Sequence, residues 1–451
     1  MKKINPSIPK GTRDFGPEEM IKREYIFFNL KKVFSKYGFQ NIETPSMENM
    51  EVLKGKYGEE GDKLLYSILN SGDFLKNKKI SSNTNYNKLK SNISKKGLRY
   101  DLTVPLARYV SMNRNNINFP FKRYQLQQVW RADKPQRGRY REFYQCDIDY
   151  IGTKSLFCEI EIIKIINEVL SELRFNDFII KLNNRKILIG IADLLNIREN
   201  FSDFCMLIDK IDKVGIEGIK NDLIKRNFNN KMINALKEIL NFSGNNEEKL
   251  DFLKKKINKS KIGIEGIEEL REIITISDNK NMNTIIDFSL ARGLSYYTSS
   301  IFEVIPKKNS IGSLAGGGRY DNLTEVFGLK DMSGIGISFG IERIYNIMEE
   351  NNLFPKEIEE PCKVLVTNLN KEVVNFSMEI ANKLRKNNIS TEMYLSYSKL
   401  KKQLQFANNK KIPYVVIIGE DEKKVNKITL KNMNSGNQQL LEVKELLNIL
   451  S

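Results

Sequence analysis

Two neighbouring segments with alternating side chains constrain the fold of this chain more than any other feature. They are FKRYQLQQVW (121–130) and REFYQCDID (141–149), and a basic loop joins them. Side chains alternate between the two faces of a β-strand, so each segment predicts a long strand. Antiparallel pairing is the economical arrangement for two strands that follow each other so closely. The sequence therefore predicts an antiparallel sheet built around this hairpin.

One face of the second strand suits neither solvent nor a protein core. It carries Arg141, Phe143, Gln145, Asp147 and Asp149. A solvated face would not need the phenylalanine, and a core would not accept the charges. In an antiparallel pair, Arg131 near the end of the first strand would lie on the same face. We therefore interpret this mixed face as a functional surface.

The segment LRYDLTV (98–104) repeats the same alternation. Arg99, Asp101 and Thr103 form a polar face, and the residues between them are apolar. This pattern predicts a further strand with one polar side.

Length and local composition divide the chain. At 451 residues it is too long for one ordinary core. Residues 17–37 predict an amphipathic helix, 76–97 an exposed Lys/Asn/Ser-rich loop, and about 185–280 a Lys-rich helical insertion. Short apolar strands alternating with helical segments predict a separate α/β domain over 361–451. The predicted fold class is α+β, with a first domain over 1–350.

Composition narrows the chemistry. The 73 lysines and arginines exceed the 56 acidic residues, giving a net charge of +17. This excess favours a polyanionic partner, most commonly nucleic acid, although a proteome-wide bias towards Lys and Asn explains it equally simply. The chain contains no histidine, which removes every Ser-His, Cys-His and His-metal mechanism. Carboxylates, arginines, backbone groups or the substrate itself must then perform any catalysis.

The cysteines and the hydropathy pattern favour a cytoplasmic protein without zinc. Cys146, Cys158, Cys205 and Cys362 lack the C-x-x-C spacing of a zinc ribbon and fit a reducing compartment. No apolar run follows the basic start MKKINPSIPKG, and no stretch approaches the roughly 20 apolar residues of a membrane helix.

Glycine-rich motifs follow the predicted insertion. GIGISFGIERI (334–344) is not a dinucleotide-binding fingerprint, but it predicts a strand that ligand or backbone approaches closely and that runs into a helix. GGGRYD (316–321) is consistent with a plain loop or with backbone N–H groups that approach a phosphate.

Four arginines lie in or beside these segments: Arg131, Arg139, Arg292 and Arg343. Fixed cations of this kind stabilise charge on a transferring phosphoryl group and need no histidine. Each arginine taken singly is more simply interpreted as a solvated or paired surface charge, and Tyr296 and Tyr297 are equally consistent with core aromatics. The coincidence of Arg131 with the mixed face favours the functional interpretation.

These segments resemble motifs of the class II aminoacyl-tRNA synthetases. VWRADKPQRGRYREF is similar to the second signature of that class, and GIGISFGIERI is similar to the third. GTRDF, RYDLTVPLARY, REFYQCDID, ARGLSYYT and GGGRYDNL together resemble the histidyl-tRNA synthetase family. The resemblance covers nearly the whole chain. It implies a class II catalytic core on an antiparallel sheet flanked by helices, with a helical insertion and a C-terminal anticodon-binding domain.

The resemblance implies that the mixed face is the floor of an active site. Arg131 and Arg292 would contact the α-phosphate of ATP, and Phe143 and Arg343 would sandwich the adenine. The residues implied for the amino acid are Asp101, Thr103 and Gln145 at its α-amino group, and Asp149 with Tyr296 or Tyr297 at its imidazole ring. A carboxylate and a phenol supply the acceptor and the donor that an imidazole requires.

The implied activity is that of a histidine–tRNA ligase, which activates histidine with ATP and Mg²⁺ and transfers it to the 3′ end of tRNA(His). No metal cage from protein side chains is implied. The loop 133–140 would contact the acceptor end through Arg137 and Arg139, and Gln136 would read the extra 5′ guanosine of this tRNA. The first helix and the strand after it would form a homodimer interface.

A second function stays open within the resemblance. A catalytically inactive paralogue in this family serves as a regulatory subunit of histidine biosynthesis, and it generally lacks the anticodon domain. This chain retains that domain together with Arg131, Arg292 and Arg343, which favours the enzyme. One position departs from the family pattern, because Ser295 stands where an acidic residue is usual.

Overall fold

The computed structural model describes residues 4–55, 58–76, 85–136, 138–226, 228–277, 283–291, 296–308, 311–359 and 362–450. The chain divides into two compact units, Met1–Asp14 with Ile26–Leu353 and Phe15–Tyr25 with Phe354–Ser451. Within the described ranges, no helix has both the length and the apolar character needed to cross a bilayer.

The strands of the first unit are β1 (Gln40–Asn41), β2 (Met47–Asn49), β3 (Ser67–Ile68), β4 (Lys96–Leu98), β5 (Phe121–Trp130), β6 (Glu142–Ile151), β7 (Phe178–Asn184), β8 (Thr284–Ile286), β9 (Ser300–Pro306), β10 (Ala315–Tyr320) and β11 (Gly334–Gly340). Among the described residues, eight of them form one sheet in the order β1-β5-β6-β11-β10-β9-β7-β8, and β2, β4 and β3 form a small second sheet. The pairs from β5 to β7 are antiparallel, and the two edge pairs are parallel. The predicted antiparallel sheet is confirmed.

The helices that begin before residue 354 are α1 (Pro17–Lys36), α2 (Met50–Leu53), α3 (Gly58–Lys63), α4 (Tyr86–Ile93), α5 (Thr103–Asn113), α6 (Phe157–Glu172), α7 (Arg185–Leu194), α8 (Phe201–Lys225), α9 (Asn230–Leu240), α10 (Asn246–Lys256), α11 (Lys261–Ser277) and α12 (Ile341–Glu350). Helix α1 begins at Pro17, the residue type preferred at a first helical position, and it buries Ile26, Leu30 and Val33. Helices α7 to α11 follow one another between β7 and β8, in the stretch for which helices were predicted.

The register of the central strands determines which side chains meet. Asp149 on β6 lies opposite Arg123 on β5 and Gly336 on β11. Asp147 on β6 lies opposite Ser338 on β11. Because residues two apart on a strand share a face, the two aspartates point to the same side of the sheet.

The second unit contains the strands β12 (Val364–Val366), β13 (Thr391–Met393), β14 (Tyr414–Ile417), β15 (Ile428–Asn432) and β16 (Gln438–Leu441), and the helices α13 (Val374–Lys386), α14 (Leu400–Asn409), α15 (Glu420–Lys424) and α16 (Val443–Leu450). The described strands form a sheet in the order β13-β12-β14-β15-β16, in which β12 runs parallel to β13 and β14. The N-terminal half of α1 also belongs here, since the Tyr25 ring lies edge-on to that of Phe354 at 6.2 Å.

Two local predictions are wrong. Residues 98–104 do not form a strand, because β4 ends at Leu98 and α5 begins at Thr103. The Asp101 carboxylate accepts a hydrogen bond from the Val104 backbone N–H at 3.1 Å, so its polar side chain starts a helix. Within 76–97, the predicted loop contains α4 and the start of β4, while 77–84 lie outside the described residues.

Candidate active site

A cleft of about 510 Å³ lies on the first unit, over the face of β6, β10 and β11. The described residues that the sequence singled out all line it: Asp101, Thr103, Arg131, Gln136, Arg139, Phe143, Gln145, Asp149, Tyr296, Tyr297 and Arg343. Arg137, Arg292 and Ser295 lie outside the described residues. Asp147, on the mixed face of β6, lines the cleft as well, whereas Arg141 donates to the Asp133 and Lys10 carbonyls.

Arg131 is held by aromatic rings and by the backbone. Its Nε donates to the Tyr100 carbonyl at 3.0 Å, and its guanidinium lies 4.3 Å from the centre of the Tyr100 ring. The Phe143 ring centre is 5.2 Å from the same group. A guanidinium fixed by stacking keeps its planar set of N–H donors ready for an anion.

Of the groups predicted for the α-amino end of the amino acid, two lie at the start of α5, and Gln145 on β6 lines the same cleft. Asp101 is buried there beside the first turn, and Thr103 is the first residue of the helix. The Gln145 amide donates to the Ser338 hydroxyl at 2.9 Å, and the Arg131 guanidinium donates to the Gln145 carbonyl oxygen at 3.4 Å. The Gln145 side chain is therefore oriented by partners on two other segments.

Asp149 is fixed from three sides. Its Oδ2 forms an ion pair with Nη2 of Arg123 at 2.7 Å, and its Oδ1 accepts a hydrogen bond from the Tyr320 hydroxyl at 2.6 Å. A Cβ atom on Gly336 would lie 2.0 Å from Oδ1, so the bare backbone of this glycine makes the position of the carboxylate possible. Burial raises the pKa of Asp149, while Arg123 and then the Tyr320 hydrogen bond oppose that shift.

Asp147 is a second buried carboxyl in the cleft. Burial raises its pKa to about 7, opposed by the charge of Arg123. The neighbouring Asp149 carboxylate raises the pKa further, and a hydrogen bond with Ser338 lowers it. Asp147 is therefore partly protonated near neutral pH.

Three phenols stand together on the other side of the cleft. The rings of Tyr296 and Tyr297 have centres 4.8 Å apart, and the Tyr320 ring lies edge-on to Tyr296 at 6.1 Å. Burial, with the nearby carboxylates, raises the pKa values of Tyr296 and Tyr320 well above that of a free phenol. Both hydroxyls therefore stay protonated, and that of Tyr320 donates to Asp149.

Arg343 lies in the first turn of α12, directly after β11. Its Nη1 donates to the Ser313 carbonyl at 2.7 Å. The preceding residue, Glu342, is buried and forms an ion pair with Arg13, whose guanidinium lies 3.6 Å from the centre of the Tyr140 ring. Arg13 of the GTRDF segment thus connects the start of α12 with the end of the loop 133–140.

The loop 133–140 closes on itself with a tight turn. Gln136 and Arg139 exchange two backbone hydrogen bonds of 3.1 and 2.9 Å, and Gly138 has a φ of +72°. The Arg139 guanidinium donates to the Asp133 carboxylate at 2.8 Å. The loop thus presents Gln136 and Arg139 at the mouth of the cleft.

The GGGRYD segment is a strand, so its interpretation as a loop is wrong. Residues 315–320 form β10 and pair with β9 and β11 on both sides. A Cβ on Gly317 would lie 2.0 Å from the Gly336 carbonyl oxygen, so this glycine allows close backbone contact within the sheet. Arg319 is buried in an ion pair with Glu159 at 2.6 Å.

Sequence reasoning missed Arg123, Tyr320 and Gly336, and it assigned no role to Asp147. Alternation already puts Arg123 on one face of β5, but only the register shows that this face meets Asp149. Tyr320 and Gly336 lie in motifs that were recognised without any sign of their contact with Asp149.

Comparison with known proteins identifies relatives over nearly the whole chain. The family model described as histidyl-tRNA synthetase matches residues 67–344, and one described as an anticodon-binding domain matches 363–451. The histidine–tRNA ligase of Cytophaga hutchinsonii is 49% identical over 439 residues, which is 96% of each chain. That of Christiangramia forsetii is 48% identical over 443 residues, which is 97% of each chain.

Solved structures agree with this comparison. The histidyl-tRNA synthetase of a Nostoc species superposes with a TM-score of 0.84 at 30% identity, over 99% of both chains. A Bacillus halodurans protein described as an ATP phosphoribosyltransferase regulatory subunit/histidyl-tRNA synthetase shares the fold, with a TM-score of 0.72 at 18% identity over 92% of this chain and 99% of that one. The antiparallel sheet and its cleft are those of a class II aminoacyl-tRNA synthetase. Within that class, the chain belongs to the histidyl-tRNA synthetase family.

Proposed function

We propose that this chain is an ATP-dependent ligase that joins histidine to tRNA(His). The observation that carries the proposal is a cleft in which fixed arginines, buried carboxylates and phenols lie over one antiparallel sheet. The curated relatives, which match nearly the full chain, support ligase activity rather than the regulatory alternative.

The first step is activation of the amino acid. The histidine carboxylate attacks the α-phosphorus of ATP, the bond from that phosphorus to the bridging oxygen breaks, and pyrophosphate leaves with the electron pair. Arg131, already fixed by Tyr100 and Phe143, stabilises the charge that develops on the α-phosphate. Arg292 adds a second cation, and Phe143 and Arg343 hold the adenine.

Recognition of histidine uses the other end of the cleft. Asp101, Thr103 and Gln145 hold the α-amino group. Asp149 accepts a hydrogen bond from the imidazole ring, and Tyr296 or Tyr297 supplies a donor. The support is the proximity of these groups and the raised pKa of Tyr296, which keeps its hydroxyl protonated.

Transfer of the amino acid to tRNA requires no histidine side chain of the protein. The terminal ribose hydroxyl attacks the carbonyl carbon of the adenylate, and AMP leaves. The loop 133–140 contacts the acceptor end through Gln136, Arg137 and Arg139, and the domain over 361–451 reads the anticodon. The net charge of +17 and the match of that domain to anticodon-binding domains support this contact.

Assembly, domain limits and metal use complete the proposal. Residues 1–350 form the catalytic domain, with the helical insertion at about 185–280. Phe28 on α1, which is 66% exposed, supports a homodimer interface at the first helix and the strand after it. Mg²⁺ enters with the ATP phosphates, the usual way in which this ion reaches a nucleotide site. The absence of zinc and the cytoplasmic location stay predictions.

Amino-acid-dependent exchange between ATP and pyrophosphate, measured against all twenty amino acids, tests this function. We expect exchange with histidine alone. Arg131→Ala should lower its rate by about 100-fold, the cost of losing one fixed donor to a transition state. Arg198→Ala, which removes a surface pair with Asp193 outside the cleft, is the matched control. A folded protein that supports no exchange with any amino acid would favour the regulatory role instead.

A further inference from the structure

A buried charge cluster lies at the floor of the cleft. Arg123, Asp147 and Asp149 are 0%, 3% and 3% exposed. Arg123 comes from β5, and the two aspartates come from one face of β6. The mechanism above uses Asp149 alone of these three.

Within the cluster the two carboxyls differ in their partners. Oδ1 of Asp149 accepts a hydrogen bond from Tyr320, and its Oδ2 forms an ion pair with Arg123 that lacks hydrogen-bond geometry. Oδ1 of Asp147 has no hydrogen-bond partner among the described residues, although it is buried and its side chain lines the cleft. A buried acceptor in this situation costs free energy unless a ligand satisfies it.

The charges of this cluster also indicate that a ligand binds to it. One guanidinium faces two buried carboxyls, so the cluster carries one surplus negative charge when both are ionised. A buried surplus charge is unfavourable and is removed by binding a proton or a cation. A ring that has one basic nitrogen and one N–H group suits this requirement.

We propose that Asp147 is a second specificity-determining residue for the histidine side chain and contacts the ring nitrogen that Asp149 does not hold, in place of the phenol donor of Tyr296 or Tyr297. Arg123 is a positioning residue that orients Asp149 and acts on the ring through it. The inference rests on the proposed function and extends it to residues with no assigned role. Side chains two residues apart on a strand are separated by about 6.5–7 Å, which leaves room for a small ring between them.

The contact is consistent with either protonation state of the ring. Protonated Asp147 donates to the basic nitrogen of a neutral imidazole, or ionised Asp147 accepts from an imidazolium. Both arrangements contain the same single proton and the same net charge. A side chain without the second nitrogen leaves Asp147 unsatisfied in a buried site, and this is the basis of discrimination.

The test is steady-state exchange kinetics of the full chain with Asp147→Ala, in which the KM for histidine and the KM for ATP are measured separately. We expect kcat/KM for histidine to fall by about 10- to 100-fold, as for a lost hydrogen bond to a charged group, with the KM for ATP unchanged. Asp147→Asn, which keeps one polar contact, should recover part of the loss. Glu161→Gln is the matched control. Glu161 lies outside the cleft and accepts a hydrogen bond from Tyr150, which is on β6 like Asp147.

Each outcome bears on the proposal. An unchanged KM for histidine in Asp147→Ala, or an equal rise in both KM values, overturns the role of Asp147 and leaves the ligase intact. If the alanine variant lacks a cooperative melting transition, the nearly isosteric Asp147→Asn carries the test, and its KM for histidine must rise with the KM for ATP unchanged. Absence of exchange by the wild-type chain with any amino acid overturns the proposed function and this inference together.

Discussion

The guanidinium of Arg123 sets the charge state of the cleft floor. It is completely buried and forms an ion pair with Asp149 at 2.7 Å, which favours the ionised form of that carboxyl against the effect of burial. The same charge also lowers the pKa of Asp147, which burial nevertheless raises to about 7. Arg123 thus opposes the effect of burial at both carboxyls on this strand face.

Asp147 makes the stability of the protein depend on pH. Its pKa rises from 3.8 to about 7 on folding, so the native state binds more protons than the unfolded state between these values. Stability should therefore fall as pH rises from 4 to 7. We predict that the melting temperature of Asp147→Asn, relative to that of wild type, increases by about 2–4 °C over this range.

Differential scanning calorimetry of both proteins checks this prediction. The groups that act on Asp147 are Arg123, Asp149, Asp101 and Ser338, and all are retained in the variant. A difference in melting temperature that is constant from pH 4 to pH 7 would show that Asp147 titrates normally.

At the scale of single residues, much of the candidate site could be predicted from the sequence. Alternation alone put Phe143, Gln145 and Asp149 on one face, and all three line the cleft. Arg123 could not be predicted as the partner of Asp149, because strand register brings the two residues together and a single sequence does not specify register.

On strand β11, Gly336 shapes the site because it has no side chain. Gly336 lies opposite Asp149, and a Cβ there would meet its Oδ1 at 2.0 Å and the Ile148 carbonyl oxygen at 2.7 Å. We predict that Gly336→Ala displaces the Asp149 carboxylate and lowers histidine-dependent exchange by about 100-fold, as expected when a bound substrate is misplaced by about 1 Å.

Exchange kinetics with Gly16→Ala as the control test this prediction. A Cβ on Gly16 has no neighbour within 4 Å, so this variant should behave as wild type. Wild-type activity in Gly336→Ala would mean that the carboxylate tolerates displacement and that β11 does not define the amino-acid site.

Strands with a clear two-residue alternation were predicted well. A segment that combines this alternation with a helix-starting residue was predicted wrongly. The strands β5 and β6 follow the alternation closely. The segment 98–104 alternates too, but its Asp101 starts helix α5 by accepting from the backbone N–H of Val104. A side chain that accepts a hydrogen bond from the backbone a few residues further on can start a helix within a segment of strand-like alternation. The alternation alone does not show when this happens.

The whole molecule divides in a way that length and composition anticipated only in outline. A change of composition near residue 361 indicated a second domain, and the second unit begins at Phe354. That unit also takes in Phe15–Tyr25, where Glu18 pairs with Lys411 at 3.6 Å and the Tyr25 ring meets that of Phe354. Contacts so distant along the chain leave no local pattern to recognise.

Formation of histidyl-tRNA by the full chain, from labelled histidine, ATP and tRNA(His), tests the central claim most directly. We expect charging of the tRNA that requires ATP, uses histidine alone among the amino acids, and falls by about 100-fold in Arg131→Ala. A correctly folded chain that binds this tRNA and leaves it uncharged would contradict the proposed function.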